Sequence, residues 1–175
     1  MDNYRVRGII IKRRNYKEAD KLLTIFTREY GKITVIGKGV RRITSRRAFA
    51  LELFNHVEFF LHPSKNFVDI IIEAQVVDTF SKIKAELNTI GKAYEMCELV
   101  DIMTREDQEN EGVYEVLLTS LHKMNTKEPV LVDKFKRHLL VVLGFLGEDE
   151  DTQEELTTYI ENIAERTLRA PRIYE

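Results

Sequence analysis

One cysteine, Cys97, stands in 175 residues. A single thiol can form neither an internal disulfide nor a CxxC metal clip, so the fold is expected to rest on packing alone, without thiol redox chemistry. Long apolar runs are also missing. No stretch approaches the roughly 20 residues of a membrane helix, and the opening MDNYRVRGIIIKRR lacks the apolar centre and small-residue cleavage site of a secretory signal. The expected location is therefore the cytoplasm, with no membrane partner. His56, His62, His122 and His138 have none of the paired spacings of zinc or iron sites, which predicts no metal. The GxxxxGK[ST] phosphate loop is absent, and no motif presents a serine at an elbow. No acid, base and nucleophile converge, so the expected protein has no catalytic residue, no cofactor and no small-molecule substrate.

What the chain does have is charge, unevenly spread. Residues 1–80 hold 15 Lys/Arg against 9 Asp/Glu, and residues 81–175 hold 12 against 20, so the net charge of -2 conceals a basic first part and an acidic second one. The concentration is greatest in GKGVRRITSRR, residues 37–47, which carries Lys38, Arg41, Arg42, Arg46 and Arg47 and no acid. A solvated, solubilising surface is the plain explanation of a charge run. Cations clustered in a glycine-containing loop point instead to a polyanion partner, drawn in by a field that salt screens.

The hydrophobic period changes at the same place as the charge. Up to Val77 apolar residues alternate or form short blocks between turn residues, which predicts strands at VRGIIIKRR, KLLTIFT, KITVI, HVEFFLH and FVDIIIEAQVV. Gly31 is the expected hairpin turn between the second and third, with Ile33 and Val35 on one face. Val57, Phe59 and Leu61 share a face of the fourth. In the fifth, Val68, Ile70, Ile72, Ala74 and Val76 oppose Asp69, Glu73 and Gln75. Five strands in so short a span suit a small closed barrel of OB type, residues 1–80.

Residues 81–175 then read as a helical domain of about four helices, making the chain α+β. Ile83, Leu87, Ile90, Tyr94 and Cys97 form one apolar stripe on a helix ending near Thr104. The polar REDQENEG leads to a second helix with Val113, Leu117, Leu121 and Met124 inward. Pro129 is expected in the first turn of a third, VLVDKFKRHLLVVLGFL, and Gly147 as its left-handed cap. After the acidic EDED, Thr152 and Glu155 have the capping-box spacing of a fourth.

Among chemistries this composition allows, nucleic-acid binding is foremost. Lysines and arginines on a barrel track phosphates, and exposed aromatics stack on unpaired bases. Tyr4, Tyr16, Tyr30 and Phe49 are the stacking candidates, whereas Phe54, Phe59 and Phe60 are expected to fill the barrel. Glu18 and Asp20, set among cations, are expected to serve ion pairing at a strand entrance. A cationic barrel alone leaves room for an RNA-binding protein acting in translation, or for an adaptor that holds other proteins without touching DNA.

The run IIIKRRNYKEADKLLTIFTREYGKITVIGKGVRRITSRRAFALELFNHVEF closely resembles the amino-terminal signature of the RecO family of bacterial recombination mediators. Its elements occur in order: R-x-Y-x-E-x-D, LLT-x-FT-x-E-x-GK, KG-x-RR-x-x-SR and L-E-x-F. AYEMCELVD and the closing YIENIAERTLRAPRIYE are similar, more weakly, to the family's helical domain. That resemblance implies an OB domain followed by a helical domain, usually with a four-cysteine zinc module inserted in the latter. Here EDED stands where the module is expected, and a chain with one cysteine could not hold its zinc.

The function implied is non-enzymatic: DNA repair and homologous recombination through binding single- and double-stranded DNA, annealing strands coated by single-stranded-DNA-binding protein, and working with RecR to help RecA load. Such a protein would be nucleoid-associated. Carried onto this sequence, the DNA contacts implied are Arg13, Arg14, Lys32, Lys38, Arg41, Arg42, Arg46 and Arg47. On the third helix, Lys134, Lys136 and Arg137 either border an apolar groove that receives the acidic, hydrophobic tail of single-stranded-DNA-binding protein or form an exposed basic face beside a core stripe.

Overall fold

The computed structural model describes residues 2–42, 47–64, 68–150 and 155–170. These divide into two compact units. Residues 1–79 with 105–111 form one, and residues 80–104 with 112–175 form the other. The run Arg105–Glu111, expected as a plain connection, thus belongs with the strands.

The first unit is a closed barrel of β1 (Tyr4–Tyr16), β2 (Asp20–Thr27), β3 (Gly31–Gly37), β4 (His56–His62) and β5 (Asp69–Asp78), in the order β1-β2-β3-β5-β4. This is the expected five-stranded OB-type barrel. Every neighbour pair is antiparallel except β3 and β5, which meet in parallel over Val35↔Asp69 and Ile36↔Ile70. β1 serves two partners, pairing with β4 through Tyr4–Ile9 and with β2 through Gly8–Tyr16. A bulge between Ile10 and Lys12 turns the strand from one to the other. Ile9, Ile10 and Ile11 are all buried, but of the three only Ile10 belongs to the barrel core, in phase with Val6. Ile10 then bonds outside the regular ladder, donating its N–H to Asn55 O (3.1 Å) and accepting from Phe54 N–H (2.9 Å).

The core gathers Val6, Ile10, Leu23, Ile25, Ile33, Val35, Val57, Phe59, Leu61 and Ile71. In β5 the expected inward face holds for Ala74 and fails for Ile72. A second bulge, between Phe60 and Leu61 in the pairing of β4 with β5, changes the phase, so Ile71 is 1% exposed and Ile72 38%. Phe54 and Phe59 are buried as expected. Phe60 is not barrel filling; it lies only partly buried beneath the Arg5 guanidinium, 4.8 Å from its ring centre. At the hairpin joining β2 and β3, Gly31 takes φ +64°, and the Thr27 hydroxyl donates to Gly31 O (3.0 Å) while accepting from Tyr30 N–H (3.0 Å). Beside it, Asp107 N–H donates to Lys32 O (2.9 Å), so the Arg105–Glu111 run lies along β3.

The second unit opens with a single 3-10 turn, Ile83–Ala85, followed by α1 (Leu87–Met103), α2 (Glu111–Asn125), α3 (Val132–Val142) and α4 (Leu156–Ala164). Extended backbone at Glu86 separates Ile83 from α1, so the expected stripe is displaced. Leu87 and Tyr94 face solvent, and Ala93, Met96, Cys97 and Val100 are buried. Burial holds the Cys97 thiol well above its ordinary range, which leaves it protonated. The α2 stripe is as expected. α3 starts later and stops earlier: Pro129 precedes it, and Gly144, not Gly147, adopts the left-handed conformation at φ +77°. There Gly144 N–H donates to Val141 O (3.0 Å) and Phe145 N–H to Leu140 O (2.9 Å), closing a Schellman motif. α4 begins at Glu155, whose carboxylate accepts from Thr157 N–H and Thr158 N–H (3.1 Å each); Thr152 lies outside the described residues.

Lys136 corrects the expected basic groove on α3. Its side chain is 6% exposed and its Nζ lies 2.8 Å from Glu95 Oε1, which is 4% exposed, and donates to Thr157 Oγ1 (2.9 Å). The ammonium is thereby spent on joining α1, α3 and α4. Lys134 remains exposed, while Arg137 is partly buried and donates to the carbonyls of Glu148 and Glu150.

Candidate nucleic-acid interface

The β1–β2 hairpin and the long loop after β3 form one surface. Asn15, Lys21 and Gly37 make a single row across three strands, which sets Arg14 and Lys38 within one residue of that row. Beyond it the loop is fastened to the hairpin tip. Asp20 Oδ1 accepts from Gly39 N–H (2.8 Å), Arg41 N–H donates to Ala19 O (2.9 Å), and Arg41 Nη1 donates to Lys17 O (3.2 Å). Asp20 is therefore a loop anchor, where ion pairing was expected. Glu52 completes the fastening by pairing with Arg13 and, at 3.9 Å, with Lys21.

The eight cations named from the sequence divide by this geometry. Arg14, Lys38, Arg41 and Arg42 are exposed on the hairpin and loop. Among the described residues no side-chain partner holds Arg14, Lys38 or Arg42, so their charge is available to solvent and to anions. Arg13 is half committed, with Glu52 against its guanidinium. Lys32 is 8% exposed in β3 and presents no cation at the surface. Arg47 faces inward: it donates to Ile71 O (2.8 Å), Ile72 O (3.3 Å) and Lys38 O (3.0 Å). The Ile71 and Ile72 carbonyls lie at the β5 bulge and the Lys38 carbonyl just past the end of β3, so the guanidinium links the two strands beyond their two paired residues. Arg46 lies outside the described residues.

Lys17 joins the surface without having been singled out from the sequence. It occupies a left-handed position at the hairpin tip, φ 49°, with its ammonium 5.3 Å from the Tyr16 ring centre. The run of cations from Lys12 to Lys17 was the signal that could have found it. Of the aromatics, Tyr16, Tyr30 and Phe49 have substantial exposure. Tyr4 is otherwise occupied, since its hydroxyl donates to Asp69 Oδ2 (2.6 Å) and its ring meets Tyr30 edge-on. Burial, then that carboxylate, push its phenol well above the ordinary range.

This arrangement can bind a polyanion, and among the described residues no cluster of three or more His, Cys, Asp or Glu side chains could hold a metal ion. Comparisons with known proteins agree with the barrel-then-helices plan. The family model described as recombination protein O N terminal matches residues 1–80, and the one described as recombination protein O C terminal matches residues 85–146. The DNA repair protein RecO of Symbiobacterium thermophilum is 38% identical over 146 residues, covering 81% of this chain and 57% of its own length. That of Roseiflexus is 35% identical over 144 residues, covering 81% and 50%, and that of Listeria monocytogenes 32% over 139 residues, covering 78% and 54%. The chain thus spans about half the length of the curated relatives it matches. With both family models matched in sequence order over residues 1–80 and 85–146, and these relatives alike over about four-fifths of the chain, the chain belongs to the RecO family.

Proposed function

We propose that this chain is a DNA repair and recombination protein that acts by binding DNA at the hairpin–loop face and bringing complementary strands together. The observation that carries the reading is the fastening of a cationic loop to a cationic hairpin by Asp20 and Arg41, which holds Arg14, Lys17, Lys38, Arg41 and Arg42 in one region. Two strands repel each other through their phosphates, and a surface that neutralises those charges lowers the cost of pairing without an active site. Binding single- and double-stranded DNA, annealing coated strands and assisting recombinase loading follow as one activity. RecR and single-stranded-DNA-binding protein are its proposed partners, with the helical unit as the element that recruits them. Lys134 remains as an accessible cation for such a contact, whereas Arg137 is engaged by the Glu148 and Glu150 carbonyls and Lys136 is buried.

The test removes charge without disturbing the fold. Arg14→Gln, Lys38→Gln and Arg42→Gln in one protein delete three cations that hold nothing else together among the described residues. Each phosphate contact on a single strand contributes about 0.7 to the slope of log affinity against log salt, so the slope should fall by about 2 and binding at 0.1 M salt by roughly a hundredfold. Unchanged affinity and slope would reject this face as the DNA surface. Competition between DNA and RNA strands of one sequence would separate the reading from an RNA-binding role.

A further inference from the structure

We infer that Phe49 is the stacking platform of this face and makes it favour unpaired strands over duplex. The inference rests on the DNA-binding reading above and deepens it.

Phe49 is 68% exposed, whereas Phe26, Phe54, Phe59 and Phe80 are at most 3% exposed. An aromatic ring left so far in water is noteworthy because everything around its base is fixed. Leu51 N–H donates to both Arg47 O and Ala48 O (3.3 Å each), closing a tight turn beneath the ring. Asn55, wholly buried, donates from Nδ2 to Phe49 O (3.0 Å) and Ala50 O (3.1 Å). Ala50 and Leu51 are buried, and Arg47 ties the start of the turn to the β5 carbonyls. The backbone of residue 49 is thus held from both sides, and only the ring projects.

A ring on a rigid support, carried by the cationic loop, offers what an unpaired base can use. Every base has an apolar face that stacks on an aromatic ring whatever its sequence, and a ring with two side-chain torsions loses little freedom in the act. Bases inside a duplex already stack on their neighbours and offer no free face. The cations therefore attract both forms through phosphates, and Phe49 adds affinity for the unpaired one alone. For a protein that brings strands together, such a preference holds bases open until a complement arrives and releases them once they pair.

The experiment compares the full chain with its Phe49→Ala and Phe49→Trp variants, by fluorescence anisotropy, on three probes: an unpaired oligonucleotide, the same sequence as duplex, and an abasic strand of equal length. Phe49→Ala should weaken binding to the unpaired probe by roughly 5- to 150-fold. It should leave the duplex and the abasic strand unchanged, and Phe49→Trp should restore the unpaired probe. Equal losses on all three probes, or no loss on the unpaired one, overturn the assignment. No loss on any DNA combined with lost capture of RecR or single-stranded-DNA-binding protein overturns it in favour of a protein contact. The charge-deleted triple variant separates this from the parent reading: it must lose affinity for all three probes, and a wild-type chain that binds none of them refutes the parent reading itself.

Discussion

Replacing Lys136 by Met leaves Glu95 as a carboxylate almost wholly removed from water, with the ammonium 2.8 Å away gone. Stranding one member of a buried pair costs about 3–5 kcal/mol, because the remaining charge has neither solvent nor counterion. Thr157 also loses its 2.9 Å contact, but it is only partly buried, so water can satisfy its hydroxyl. Exchanging both partners, Lys136→Met with Glu95→Leu, removes the charge along with its need for a partner, and such swaps are commonly neutral or stabilising. The double variant should therefore lie within about 1 kcal/mol of the parent while each single variant falls well below it, a coupling of at least about 2 kcal/mol. Equilibrium urea unfolding of the parent, both single variants and the double, followed by far-ultraviolet circular dichroism, measures all four corners. Additive effects would refute the reasoning, since a pair of this geometry cannot be both buried and uncoupled. The cycle also bears on function. A loss of partner binding in Lys136→Met that the double variant recovers reports unfolding of the helical unit, not a lost contact.

Three further outcomes follow from the geometry. Asp20→Ala removes the acceptor of Gly39 N–H, a hydrogen bond to a charged group of the kind that contributes about 1.5–3 kcal/mol when buried and less at this half-buried site; the loop should exchange its amides faster and bind DNA more weakly while the strands keep their protection, seen by hydrogen exchange. Gly31→Ala places a methyl group against Gln108 O and forces a left-handed backbone that alone costs about 1–2 kcal/mol, so the Arg105–Glu111 run should leave β3 and become open to limited proteolysis. Burial raises the Glu155 pKa, but the hydrogen bonds from Thr157 and Thr158 outweigh it and hold the group below the ordinary carboxylate value. A depressed value means that its support of α4 is complete above the unfolded pKa, about 4.3, and is lost as pH falls through the folded one; the Thr157 and Thr158 amide resonances should shift through that acid range, and not in Glu155→Gln.

The barrel was legible because its alternation survives in most strands and because turn chemistry punctuates them: Gly31 alone announces the β2–β3 hairpin. What escaped was wherever a local register broke the period. The bulge in the pairing of β4 with β5 decides that Ile71 is interior and Ile72 is not, and nothing in a run of isoleucines marks which one is extra. In the helices, Gly144 and Gly147 were equally plausible stops by residue type, and only the Leu140 and Val141 carbonyls choose between them. The site was legible as a quantity of charge but not as individual contacts. Arg47, Arg41 and Arg42 look alike in sequence, yet one is consumed by β5 carbonyls, one by the hairpin tip, and one by no described residue. Lys32 and Lys136 show the same limit, since the partners that decide their burial are far away along the chain.

The lodging of Arg105–Glu111 against β3 sets a boundary for dissection. A fragment ending at Phe80 would keep all five strands and lose that cover, baring the main chain of Lys32 and a row of unpaired peptide groups. Its self-association through that exposed rim, and any extra pull on polyanions there, would be artefacts of the scissors.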